Sequence, residues 1–286
     1  MKFGFVTCVQ LGMDCIEEIY EIGGSLDLLI TLTDEQAKSK SGRIYLDDFA
    51  KQHDVPLLKS RHVSDDAVVE AVAKHDLDWL FIIGWSQIAR PNTLAAPKRG
   101  CIGIHPTLLP VGRGRAAVPW AILKGLPETG VTMFKLDEGV DTGPILGQER
   151  IPLTPTTTAT ELYDAVGLAH KALIRATWSS LVDDSIELMT QDDSQATEWP
   201  GRRPEDGEIR PEMSVVEVDR LVRAVTHPYP GAFVNGGFDG TAAGAGGYRI
   251  WSGSPEVPGD HPPLQCADGS YFPHDIEPLA EAQTEG

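Results

Sequence analysis

Trp79–Gly84 reads Trp-Leu-Phe-Ile-Ile-Gly, a run with no polar side chain in it. A strand with one face in water alternates polar and apolar residues; an unbroken apolar run is expected where both faces are covered. Strands of that kind belong to parallel sheets with helices packed on either side. The rest of the N-terminal half agrees. Lys2–Thr7 and Leu26–Leu32 are further apolar, strand-like runs. Between them, Leu11 to Ile22 carries Met13, Ile16, Ile19 and Tyr20 at helical spacing and ends at Gly23-Gly24. Ile44–His53 reads as helix, Val55–Leu58 as strand, and Asp65–Lys74 as a helix with acidic residues in its first turn. Strand and helix signals alternate with no Asn-Gly or Asp-Gly hairpin among them. This predicts an α/β fold, a doubly wound and mostly parallel sheet.

In such sheets, ligands bind outside the carboxyl ends of the strands. The first strand is followed by Thr7-Cys8-Val9-Gln10-Leu11-Gly12, which lacks the glycine pattern of a dinucleotide site. The apolar run at 79–84 is followed by Trp85-Ser86-Gln87-Ile88, a turn with polar donors on the expected rim. A shorter apolar run ends at His105. Asp141 comes 36 residues later (141 − 105), in the turn Asp137-Glu138-Gly139-Val140-Asp141-Thr142-Gly143 between strand-like Gly130–Leu136 and Gly147–Leu153. A His and an Asp on neighbouring turns suit proton transfer: the imidazole moves the proton, and the carboxylate sets its tautomer and stabilises its charged form. Gly139 and Gly143 are expected to supply positive φ and close backbone approach to a flat ligand.

The stretch Gly103-Ile104-His105-Pro106-Thr107-Leu108-Leu109-Pro110, then Arg113-Gly114, then Asp137-Glu138-Gly139-Val140-Asp141-Thr142-Gly143 resembles the signature of the folate-dependent formyltransferases. That family acts on methionyl-tRNA, glycinamide ribonucleotide or amino sugars. Its signature runs Asn-x-His-Pro-Ser-Leu-Leu-Pro, an Arg-Gly segment, and Asp-x-Gly-x-Asp-Thr-Gly. The looser resemblance extends from Lys2 to about Phe233. It implies a Rossmann-like formyltransferase fold, 10-formyltetrahydrofolate as a consumed cosubstrate, a small-molecule amine as acceptor, and no metal. It assigns His105 and Asp141 to catalysis. It assigns Trp85, Ser86, Gln87, Ile88, Asp137, Gly139, Val140 and Gly143 to the folate, and Gly103 and Arg113 to the substrate. The family's catalytic Asn, thought to hold the formyl oxygen, is Gly103 here. Losing one such donor costs roughly 10²–10³ in rate. Ser86 and Gln87 are the candidate replacement donors; a more reactive acceptor or a folate-binding protein without turnover are the other readings.

Thr160–Val182 reads as one long helix, with His170 as a surface or packing residue. Gln191–Glu208 is polar and rich in Pro and Gly, which suggests a catalytic domain over 1–190, a linker over 191–208 and a small, mainly β domain over 209–286. Ser214 and Glu217 form a capping box before the stripe Val215, Val218, Leu221, Val222, Val225. Short strands are expected at Tyr248–Trp251, Leu264–Ala267 and Tyr271–Phe272. The net charge is −18, and from Gly207 onward 12 Asp and Glu face 4 Lys and Arg. Such a field opposes nucleic-acid binding, which needs clustered cations. The four cysteines, Cys8, Cys15, Cys101 and Cys266, are scattered without CxxC spacing and read as reduced thiols. No signal-peptide layout and no apolar run of membrane-spanning length stand out, so a cytoplasmic protein is expected, and a homodimer is compatible with the sequence. Ser41-Gly42-Arg43 is either a solvated loop or a contact for an anionic substrate. For the acceptor, N-hydroxyornithine in siderophore assembly or a nucleotide-linked amino sugar is expected, with methionyl-tRNA formylation, formyltetrahydrofolate hydrolysis and plain folate binding as alternatives.

Overall fold

The computed structural model describes residues 1–37, 42–236 and 247–279. In chain order the first elements are β1 (Phe3–Val6), α1 (Gln10–Glu21), β2 (Leu28–Leu32), α2 (Asp34–Ala37), α3 (Asp47–Gln52), β3 (Leu57–Ser60), α4 (Asp66–Lys74), β4 (Trp79–Ile82) and α5 (Pro91–Leu94). Then come β5 (Gly100–His105), β6 (Arg113–Gly114), α6 (Ala117–Leu123), β7 (Glu128–Lys135), β8 (Ile145–Pro152) and α7 (Ala159–Val182). The last are β9 (Glu198–Trp199), α8 (Val215–Val225), β10 (Ala232–Val234), β11 (Tyr248–Ser254), β12 (Leu264–Cys266) and β13 (Gly269–Pro278).

The main sheet has the order β3-β2-β1-β4-β5-β7-β8. Strands β3 to β5 are parallel to their neighbours, and β7 runs antiparallel to β5, with His105 opposite Thr132. The chain leaves β1 towards β2 and β3 and returns to β4 on the other side. The switch point therefore lies between β1 and β4, which brings the 85–88 turn and the end of β5 to one rim. The uninterrupted runs earn their burial: Phe5, Leu29, Ile30, Leu80 and Phe81 have no exposed surface. Phe3, Phe81 and Trp178 of α7 form an aromatic cluster, with the Phe3 and Trp178 rings 4.5 Å apart. Truncating any one of these rings would cost on the order of 3–5 kcal/mol.

By contact density the chain divides into two units. The first comprises Met1–Gly114, Gly130–Ile151 and Val166–Glu198; the second comprises Arg115–Thr129, Pro152–Ala165 and the described residues from Trp199 on. The second unit holds an antiparallel sheet, β10-β11-β13-β12. Its helix α8 buries Val218, Leu221, Val222, Ala224 and Val225. The capping box is present: Ser214 Oγ accepts from the Glu217 N–H, and Glu217 Oε2 accepts from the Ser214 N–H at 2.8 Å. Strand β13 is much longer than the two residues expected at Tyr271–Phe272. Its polar residues and prolines mask a strand in which Tyr271 and Pro273 are buried and most of the others are not. The helix expected over Ile44–His53 is confined to α3, and the 33–43 loop begins with the short α2.

His170 is buried rather than at the surface. Desolvation pushes its pKa down to about 4, with His105 adding to the fall and the Val166 carbonyl and Asp14 opposing it, so the ring is neutral at pH 7. Among the described residues, no helix is long and apolar enough to cross a membrane.

Candidate active site

Alternation along β5 turns Gly103 and His105 to one face. His105 ends the strand and is 8% exposed. Its Nε2 lies 2.8 Å from the Gly112 carbonyl oxygen. A carbonyl only accepts, so this contact fixes the Nε2 proton and leaves Nδ1 to face Asp141 Oδ2 at 3.5 Å. That same Oδ2 accepts the Gly114 N–H at 2.9 Å. Gly112-Arg113-Gly114 therefore touches both members of the pair, one through a carbonyl and the other through an amide. Asp141 Oδ1 makes no hydrogen bond to the protein among the described residues, and the carboxylate side chain retains 18% of its exposure.

The turn that presents Asp141 departs from expectation in one respect. Its left-handed residue is Asp141 itself, with φ of 55°, and neither Gly139 nor Gly143 has positive φ. Asp tolerates this region better than most residues because its short polar side chain can bond locally. The glycines serve close approach instead. A Cβ on Gly143 would stand 1.7 Å from the Lys135 carbonyl oxygen. Asp137 ties the turn internally, accepting from the Gly139 N–H and from Thr142 Oγ1 at 2.7 Å.

Gln191 fastens the turn from behind. Its Nε2 donates to the carbonyls of Asp141 at 2.8 Å and Gly143 at 2.7 Å. Its Oε1 accepts from Arg113 Nε and Nη2 at 3.2 and 2.8 Å, and Arg113 Nη2 also donates to Asp193 at 2.7 Å. Arg113, 7% exposed, is thus held inside the protein. The sequence placed it at the substrate; the structure shows its fork engaged by Gln191 and Asp193. Thr197 completes the backing: its Oγ1 accepts the Gly112 N–H, and its carbonyl accepts the Arg113 N–H. Sequence reasoning missed Gln191, Asp193 and Thr197 because their segment has the polar composition of a connector. Its only signal was polarity.

Gly103 is occupied by a neighbour rather than open. A Cβ there would meet Leu136 Cδ2 at 2.6 Å. Leu136 packs among Leu109, Phe134 and Ile145, so it cannot swing aside freely. Gly103→Asn should overpack this point, costing about 1–3 kcal/mol, and should not raise turnover. Adding Leu136→Ala should recover part of the lost melting temperature. Thermal melts of the single and double variants check this; a single variant as stable as the parent would contradict it.

The 85–88 turn is braced to the loop after β3. Gln87 Oε1 accepts from the Val63 N–H and from Trp85 Nε1, and its Nε2 donates to the Arg61 carbonyl at 2.8 Å. Its oxygen and one of its two N–H groups are thus engaged within the protein, which leaves one N–H as a donor. Ser86 is exposed on the same turn. Ile88 and Val140 are 80% and 62% exposed, a surface that a flat, partly apolar ligand could cover. Arg43 is spent on the carbonyls of Leu32, Thr33 and Ile44 with its side chain 3% exposed, which fits neither a solvated loop residue nor an anion contact; Ser41 lies outside the described residues. Burial pushes the Cys101 thiol up to about 12 and Cys15 higher still, so neither is a nucleophile at neutral pH. Among the described residues, no cluster of three or more His, Cys, Asp or Glu is placed to hold a metal ion.

Residues 25–177 match the family model described as formyl transferase. A methionyl-tRNA formyltransferase from Geobacter sulfurreducens is 34% identical over 236 residues, covering 82% of this chain and 74% of the relative. Among solved structures, an N-formyltransferase from Helicobacter canadensis, in complex with folinic acid and dTDP-3-aminofucose, superposes with a TM-score of 0.70 at 16% identity, covering 96% of this chain and 98% of the other. A variant of HypX from Aquifex aeolicus gives 0.69 at 17% identity; 98% of this chain is covered but only 45% of HypX, so the chain spans less than half of that protein.

Proposed function

We propose, from the premise that this chain belongs to the formyl transferase family, that it moves a formyl group from 10-formyltetrahydrofolate to the amine or hydroxylamine nitrogen of a small metabolite. The observation that carries the reading is the contact of His105 and Asp141 at the rim, with Asp141 Oδ1 left over. The acceptor nitrogen attacks the formyl carbon and forms the new C–N bond. As charge develops on the formyl oxygen, the Nε2 N–H of His105 turns from the Gly112 carbonyl towards it. As the bond to the folate nitrogen breaks, the proton from the attacking nitrogen passes to Asp141 or His105, and the folate nitrogen takes one up. Trp85–Ile88 and Asp137–Gly143 are the loops proposed to hold the folate. Exposed Ile88 and Val140 supply the apolar surface that the flat ring system needs. An N-hydroxyornithine or a nucleotide-linked amino sugar is the acceptor class proposed, and a hydroxylamine nitrogen is reactive enough to lessen the need for a side-chain amide at Gly103.

Methionyl-tRNA is the second reading, favoured by the name of the Geobacter relative. The charge of −18 and the acidic C-terminal stretch oppose it. Formyl transfer assayed in parallel with small amines, with nucleotide amino sugars and with methionyl-tRNA separates the two. The expected result is transfer to a small acceptor and no tight, salt-sensitive tRNA binding. Efficient formylation of methionyl-tRNA would reverse the assignment.

A further inference from the structure

We propose that Gln191 is a positioning residue for the reaction, acting through Asp141; this rests on the reading that Asp141 supports His105. The argument begins with capacity. A primary amide offers two N–H donors and a carbonyl with two lone pairs, and here every one is used. Both N–H groups meet backbone carbonyls in the Asp141 turn, and both lone pairs face Arg113. The orientation of the amide is forced. Arginine can only donate and a carbonyl can only accept, so nitrogen and oxygen cannot exchange places.

The two carbonyls belong to Asp141 and Gly143, two residues apart in the turn, and Asp141 has φ of 55°. Asp enters that conformation more readily than most residues but still at a cost, which surrounding contacts must offset. Gln191, 7% exposed, is the side chain that grips both carbonyls. Arg113 and Asp193 anchor it in turn, and Arg113 lies between the two glycines that touch His105 and Asp141. One buried amide thereby couples the backbone behind the carboxylate to the backbone behind the imidazole. A shift of about 1 Å in such a pair can cost roughly 10²-fold in rate.

Gln191→Glu is the test, because it keeps shape and the bond to Arg113 but replaces two donors by a carboxylate oxygen facing two carbonyls. The expected result is a fall in kcat of about 10- to 100-fold, larger than any rise in KM for 10-formyltetrahydrofolate. In an Asp141→Asn background the same change should cost less than about 3-fold, since the carboxylate it positions is gone. Turnover of Gln191→Glu close to the parent, or a full loss repeated in the Asp141→Asn background, overturns the proposal. Near-normal turnover of Asp141→Asn alone would instead remove the site reading beneath it, and the proposal with it. Should Gln191→Glu not fold by circular dichroism, Arg113→Lys reads the same link: lysine lacks the fork that reaches Gln191 and Asp193 together, and a smaller loss with the same non-additivity is expected.

Discussion

His105→Ala is expected to lower kcat by roughly 10²- to 10⁴-fold, the span associated with a general acid–base residue. The side chain stands at the carboxyl end of β5 with one nitrogen fixed by Gly112 and the other towards Asp141. Alanine removes both contacts and leaves no group able to move a proton at that point. The fold should survive. The loss is one buried hydrogen bond and a small cavity, about 1–3 kcal/mol, in a sheet whose core lies at Phe5, Leu29, Leu80 and Phe81. Steady-state kinetics with a thermal melt on the same sample separate the two effects. A folded variant with near-normal kcat would remove His105 from the mechanism.

Asp141→Asn should lower kcat by a similar ~10²- to 10⁴-fold, for a different reason. The amide is nearly the same size and can still accept the Gly114 N–H through its oxygen. Its nitrogen would then take the place of Oδ1, where it only donates. The negative charge that stabilises a protonated imidazole is lost, and so is Oδ1 as a proton acceptor. Amide replacement of a carboxylate that orients a catalytic histidine has this order of effect in the serine-protease triad. The melting temperature should move by only a few degrees, because φ of 55° suits Asn as well as Asp.

The fold was largely legible in the sequence, since burial on both faces leaves continuous apolar runs, and those runs became β1, β2 and β4. What misled was polarity. Strand β13 carries polar residues and two prolines, so its ten residues hid behind a loop-like composition. The same ambiguity hid Gln191 and Thr197, whose polar side chains bond the backbone behind the site. The pairing of His105 with Asp141 was legible from motif spacing. The partners of Arg113 and Gln87 were not, because a local sequence records the donors of a side chain and not the distant acceptors that occupy them. The occupant of the space at Gly103, Leu136, comes from the neighbouring strand's end, 33 positions away (136 − 103), and no local pattern signals it.

The most direct test of the proposed transferase is tetrahydrofolate release from 10-formyltetrahydrofolate, measured with and without candidate acceptor amines, for the parent protein and for His105→Ala. The account predicts release that depends on a small amine, matches formylated product one for one, and falls at least ~10²-fold in His105→Ala. Release at the same rate without any amine, or none with any acceptor under conditions where the folate binds, would contradict it.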